Sequence, residues 1–311
     1  MKNIVYAIAV ILVLAGCTTQ QANPPKAQPF VGGIEGVNVA FSADSPPQEV
    51  DDGGQFPFDV VVELRNKGEH TIPKEEMTVK IMGVRPEEFG KTESELTKHP
   101  DDEVIATIKD PEGFVTEGPP VFVTFSNFNH EEHLVGNKDF IFRVEACYKY
   151  QTTAMAQLCV RKNNIDPEKN GVCEPTGDKI IQNSGGPVQV TDFKEFGRAK
   201  NKVGFQFTIE HKGTGNIFQK GSDCAVERKY ENRIFVKVKT DINSGMTCSG
   251  LDEGDATSGY IKLFGVSRIV SCTQEVTSNS DYETPVIVDL TYDYRNDAQT
   301  VVLVKHIPEE D

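Results

Sequence analysis

The chain has 311 residues, with 32 basic and 47 acidic side chains and a net charge of −15. At roughly 150 residues per domain, that length predicts about two domains. The acidic balance argues against a nucleic-acid partner, because phosphate binding needs a basic face. Hydrophobic residues make up 38% and charged residues 25%, a composition that predicts a folded chain and not a disordered one.

Met1–Cys17 reads MKNIVYAIAVILVLAGC, with Lys2 as its only charge and thirteen apolar or small residues from Ile4 to Gly16. A membrane span needs about 20 such residues, so the run suits the core of a secretory signal instead. Leu14-Ala15-Gly16-Cys17 closes it and resembles the lipobox of prokaryotic lipoproteins. That resemblance implies cleavage of residues 1–16, a diacylglyceryl group on the Cys17 thiol, and an extracytoplasmic protein anchored to the cell membrane. Loss of Lys2 takes the mature net charge to −16. Residues 17–33 then form the lipid anchor and a polar, Pro-bearing tether. At about 3 Å per residue it would hold a domain a few tens of ångströms from the membrane.

From residue 34 onward the dominant signal is alternation of apolar and polar side chains, the mark of half-buried strands. Phe58, Val60, Val62 and Leu64 share one face, as do Met77, Val79 and Ile81, and Val121, Val123 and Phe125. Phe140–Tyr148 and Ala154–Arg161 read as two strands joined by a short turn near Gln151-Thr152-Thr153. Residues 163–186 are rich in turn formers and read as a linker between a first β-sandwich domain, 34–162, and a second, 187–311. Strands resume at Val188, Val203–Ile209, Ile234–Val238, Tyr260–Phe264, Val286–Tyr294 and Val301–Ile307. The fold class expected is all-β, with two sandwiches in tandem.

Six cysteines follow Cys17, an even number in a chain that looks exported, so disulfides outrank metal sites. Cys147 and Cys159 fall on the polar faces of the two strands flanking the expected turn, which predicts a Cys147–Cys159 bridge. Cys248–Cys272 is expected beside it, leaving Cys173–Cys224; the alternative is Cys159–Cys173.

The two halves share a pattern. Val60-x-Val62-x-Leu64-x-Asn66-Lys67-Gly68 lines up with Phe205-x-Phe207-x-Ile209-x-His211-Lys212-Gly213, and Ile72 and Ile217 each lie four residues past the Gly. A VxVxLxNKG strand of this form resembles the CARDB type of immunoglobulin-like domain. The wider layout is similar to archaeal-type cell-surface lipoproteins: lipobox, Phe30-Val31-Gly32-Gly33, Cys147-Tyr148-x-Tyr150, Tyr282-x-Thr284-Pro285 and Leu290-x-Tyr292-x-Tyr294. The resemblance implies tandem immunoglobulin-like sandwiches at the envelope and carries over no catalytic residue. His211 stands where the pattern has Asn, and residues 219–232, with Cys224, look inserted.

Few side chains point to chemistry. His130 and His133 lack the spacing of a zinc-protease helix, and Asn129–His133 reads as a solvated loop between strands. Asp166, Glu168 and Asn170 resemble the start of a calcium loop, but Gly177 stands where a bidentate Glu is needed; Ca²⁺ is the one cofactor these residues suggest. Asp252, Glu253 and Asp255 form a second acidic loop. Residues 86–118 hold ten acidic and three basic side chains, read as a solvated face. Lys212-Gly213-Thr214-Gly215 lacks the order of a phosphate loop. Tyr148, Tyr150, Tyr292 and Tyr294 are expected at the edge of a core. The reading is a non-enzymatic surface lipoprotein, structural or adhesive, that meets the membrane through its lipid and an envelope protein or surface polymer through its domains. A lipid-anchored small-ligand or cation-binding module is the alternative, and an extracellular hydrolase a third.

Overall fold

The computed structural model describes residues 28–165, 171–242 and 245–308. In chain order the strands are β1 Val37–Phe41, β2 Glu49–Asp51, β3 Phe58–Asn66, β4 Met77–Met82, β5 Thr97–Lys98, β6 Ile108–Lys109, β7 Val115–Thr116, β8 Val121–Phe128, β9 Lys138–Val160, β10 Gly177–Asp178, β11 Ile181–Asn183, β12 Val188–Ala199, β13 Lys202–His211, β14 Asn216–Phe218, β15 Arg233–Thr240, β16 Met246–Ser249, β17 Ser258–Lys262, β18 Ser267–Glu275 and β19 Tyr282–Lys305. Two short 3-10 turns, at Lys74–Glu76 and Pro86–Phe89, are the helical elements among the described residues. The protein is all-β.

Its axis is a ribbon of two long strands. β9 has 23 residues and β19 has 24, and they pair antiparallel without a register break from Tyr282↔Val160 to Val304↔Lys138. At about 3.3 Å per residue the ribbon is roughly 75 Å long. Around it the sheet runs β17-β15-β19-β9-β4-β5, with β11 on β9 and with β14 and the parallel β2 on β19. A three-stranded sheet, β1-β3-β8, faces the first half of β9: the Phe58 and Phe128 rings lie 6.2 and 5.7 Å from Phe142. A five-stranded sheet, β10-β12-β13-β18-β16, faces the second half, where the Glu195 carboxylate accepts the Cys159 N–H at 3.0 Å. Stacked Phe193, Phe205 and Phe207 fill that end.

The ribbon corrects the expected turn at Gln151-Thr152-Thr153. Every even-numbered residue from Phe140 to Val160 is buried, so the alternation passes through the polar stretch without slipping. A turn would have reset it. Tyr150 and Thr152 keep the core face and Gln151 and Thr153 the open one. β19 likewise joins the two strands expected at Val286–Tyr294 and Val301–Ile307, with its even-numbered residues buried from Thr284 to Tyr294 and again at Val302 and Val304. Within 163–186, β11 pairs with β9 through Ile181↔Ala156 and β10 with β12.

One long strand rules out the Cys147–Cys159 bridge. Twelve residues along a strand separate these cysteines by about 40 Å, far beyond the reach of a disulfide. The bonds are Cys147–Cys224, Cys159–Cys173 and Cys248–Cys272. The Cys173–Cys224 pairing is therefore also corrected, Cys159–Cys173 was the alternative, and Cys248–Cys272 is as expected, the two lying opposite each other on β16 and β18. Cys159, placed on a polar face from sequence, is buried, and so is Arg161 two residues on. Arg161 meets Asp281 at 2.8 Å and donates to the Cys173 carbonyl. Three disulfides place the folded part in an oxidising, extracytoplasmic environment. No helix among the described residues is long and apolar enough to cross a membrane.

Candidate functional site

The ribbon's midpoint is the pair Lys149↔Asp293, flanked by Tyr148↔Tyr294 and Tyr150↔Tyr292. These four tyrosines are not at a core edge: each is at most 1% exposed, with neighbouring ring centroids 5.9 to 6.1 Å apart. Burial raises the pKa of all four phenols, that of Tyr294 to about 12. They stay protonated and act as hydrogen-bonding posts. The Val37 N–H donates to Tyr148 Oη at 3.0 Å and the Val188 N–H to Tyr292 Oη at 3.3 Å. Tyr150 Oη donates to the Gly185 carbonyl at 2.9 Å, and the Gly215 N–H donates to Tyr294 Oη at 2.8 Å. Each facing sheet is pinned to the ribbon where its first long strand begins.

The repeated motif explains this arrangement. A Cβ on Gly68 would collide with Tyr150 Oη, and one on Gly213 with Tyr294 Oη, so both positions need the bare backbone. Next to them, the Lys67 N–H donates to the Gly36 carbonyl and the Lys212 N–H to that of Pro187. Ile72 and Ile217 are both buried. The halves differ at the marked position. Asn66 accepts from the Gly68 N–H and donates to the His70 carbonyl, whereas His211 Nε2 lies 2.9 Å from Tyr294 Oη.

Two segments close over this waist. From the N-terminal side, the Val31 and Gly32 N–H groups donate to the Glu69 carboxylate at 2.9 and 2.8 Å, and Gly185 N–H reaches the same group at 2.6 Å. From the other side, the 219–232 segment is held by the Cys147–Cys224 bond and by Asp293. The Asp293 carboxylate accepts from the Gly221, Ser222 and Asp223 N–H groups at 2.8 to 2.9 Å. Burial pushes its carboxyl above the usual range, and those three donors pull it part of the way back. Among the described residues, two of the concavities border these segments. One of about 120 Å³ is lined by Ile34, Pro187, Lys212, Gly213 and Asn296, and one of about 460 Å³ by Pro29, Met155, Ile180, Lys179 and Glu283. The Lys212–Gly215 stretch thus serves the waist.

The other residues singled out from sequence do not converge on it. His130 corrects the solvated-loop reading: it is 1% exposed, against the Phe89 and Phe140 rings at 5.3 Å. His133 instead lies 3.6 Å from buried Asp52, which also takes His306 Nδ1 at 3.0 Å and the Leu134 and Ile307 N–H groups. Sequence reasoning missed Asp52, whose only signal was an acid beside Gly53-Gly54. In the second acidic loop, Asp255 caps the Thr257 and Ser258 N–H groups and Glu253 pairs with Arg233 at 3.0 Å. Among the described residues no group of three His, Cys, Asp or Glu is placed to hold a metal ion. Cys17 and the calcium candidates Asp166, Glu168 and Asn170 lie outside the described residues.

No protein-family model matches the chain, and no curated protein matches it.

Proposed function

We propose that this chain is a non-enzymatic cell-surface lipoprotein, held by a lipid on Cys17. Its two halves are tandem immunoglobulin-like sandwiches of the CARDB type, working as a structural or adhesive subunit of the envelope. The observation that carries this reading is the ribbon, braced at its middle by Cys147–Cys224. Two strands that run through both halves make one stiff body about 75 Å long, which suits a spacer or scaffold. The four buried phenols give their hydroxyls to backbone groups that fix this shape. The oxidising location and the lipobox support the envelope setting.

The test is in-cell crosslinking of the natively anchored protein, purification from the envelope fraction, and identification of partners by mass spectrometry. A reproducible, near-stoichiometric envelope protein is expected, crosslinked to one face. Recovery of intact bait without any protein or polymer partner overturns the adaptor role. Multiple-turnover conversion of an envelope substrate by the purified protein overturns the non-enzymatic one.

A further inference from the structure

The hairpin formed by β6 and β7 stands apart from the other sheets, its two strands pairing only with each other. Its turn is rigid: the Asp110 carboxylate accepts the Phe114 N–H at 2.8 Å, and the Asp110 carbonyl the Gly113 N–H at 3.0 Å. Around Gly113 there is open space. Ile108 pairs with Thr116, so Ile108 and Phe114 share one face of the hairpin. Phe114 is 72% exposed, Ile108 59% and Val115 51%. Three such side chains left in water on so small an element are apolar surface that a covering partner would remove from water.

Where the chain enters the fold says what covers them. The Thr107 N–H, at the root of the hairpin, donates to the Gly68 carbonyl at 2.8 Å. The next residue, Glu69, holds the Val31 and Gly32 N–H groups. Lys109 Nζ in turn reaches the Gln28 carbonyl at 3.1 Å. The hairpin and the point where the tether joins the fold are thus fastened to adjacent residues. Eleven residues separate Cys17 from Gln28 in number, a contour of no more than about 40 Å. Resting on the lipoprotein reading above, we propose that this hairpin is a foot that seats on the membrane to which Cys17 is anchored, with Phe114 and Ile108 among the acyl chains. Asp110 and Glu112 lie in its turn and Glu117 follows β7 directly, against Lys109 as the one basic residue on its strands, so the surface it takes is one of zwitterionic headgroups; anionic ones repel it.

The chain contains no Trp, so Phe114→Trp supplies a single reporter at an exposed site. The full-length, lipidated variant is reconstituted on phosphatidylcholine vesicles. The expected result is a blue-shifted emission, quenched at least twofold by brominated acyl chains, and less so on phosphatidylglycerol. Phe264→Trp, on an equally exposed ring in the second half (73% exposed), is expected to show neither change. If Phe114→Trp emits as in water while mass spectrometry shows the lipid on Cys17 and the vesicles float with the protein, the foot is overturned and the anchor stands. A Cys17 free of lipid in native membranes overturns the anchor reading and the foot with it.

Discussion

Lys149 and Asp293 face each other at the midpoint of the β9–β19 ladder, yet their charges go to different partners. Lys149 Nζ pairs with Glu76 at 2.5 Å, and Asp293 turns to the N–H groups of residues 221–223. The pair fastens a loop from each half to the centre of the ribbon. Asp293→Asn keeps the shape but replaces one accepting oxygen by a donor facing N–H groups. A loss of about 1–3 kcal/mol is expected, toward the low end because a buried charge is removed as well. Hydrogen exchange of the Gly221, Ser222 and Asp223 amides should accelerate while the Val37 and Val188 amides keep their protection. Uniform loosening would show that Asp293 holds no local latch.

The disulfides should differ in worth. Cys147–Cys224 closes 77 residues and Cys159–Cys173 closes 14. By loop entropy the first contributes about 4.5 kcal/mol and the second about 3 kcal/mol. Replacing each pair by Ser and measuring denaturant unfolding should reproduce that order. Peptide mapping without reduction should recover Cys147 joined to Cys224. A Cys147–Cys159 peptide would mean that β9 is two strands.

That bridge marks where the sequence was misread. Alternation over Phe140–Tyr148 and over Ala154–Arg161 was legible, as were the repeated motif and its glycines. The polar run Lys149–Thr153 looked like a turn on composition. Its parity, with Tyr150 and Thr152 continuing the even-numbered core face, was the better guide, because a strand's faces are set by counting and not by polarity. The tyrosines were misplaced for a related reason. A phenol at a core edge and one at a core centre read alike in sequence, and what moved these inward is the second long strand 142 positions away, with Tyr150 opposite Tyr292. Asp52 depends on His306 and the Ile307 N–H, more than 250 residues on, a separation that no local pattern reports.

Asp52 should set the acid limit of stability. Burial raises its carboxyl, but the N–H groups of Ile307 and Leu134 and the His306 ring together hold it well below the usual carboxylate range. A carboxyl whose ionisation is easier in the folded state contributes stability that is complete above its unfolded value, 3.8. That stability is lost as pH falls through the folded value. Thermal unfolding between pH 7 and pH 2 should therefore show wild type falling below about pH 4. Asp52→Asn should be less stable at neutral pH by about 2–3 kcal/mol, with the gap closing in acid. A constant gap down to pH 2 would refute the linkage.

Lys98 guards the open edge of β8. β8 ends its sheet and runs eight residues without a charge or a Pro, the composition that invites strand pairing. Other end strands are shorter: two residues in β5 and β10, four in β16, five in β1 and five in β17, which is itself covered by the bridge from Asp252 to Tyr260. Lys98 Nζ donates to the Thr124 carbonyl at 2.7 Å and lies 5.4 Å from the Phe125 ring centre. A strand residue's N–H and C=O point to the same edge, so Phe122 and Thr124, which lie before the register shift at Phe125–Phe128, both present theirs outward. Lys98 sets a charge on that edge. Lys98→Ser should leave the fold intact and convert monomer to dimer or larger species in sedimentation velocity. The effect should be stronger in high salt, where the repulsion between two chains of net charge near −15 is screened. Lys98→Arg should remain as monomeric as wild type. If the Ser variant sediments as wild type does at matched concentration and salt, the edge is guarded by its twist or its neighbours and not by this lysine.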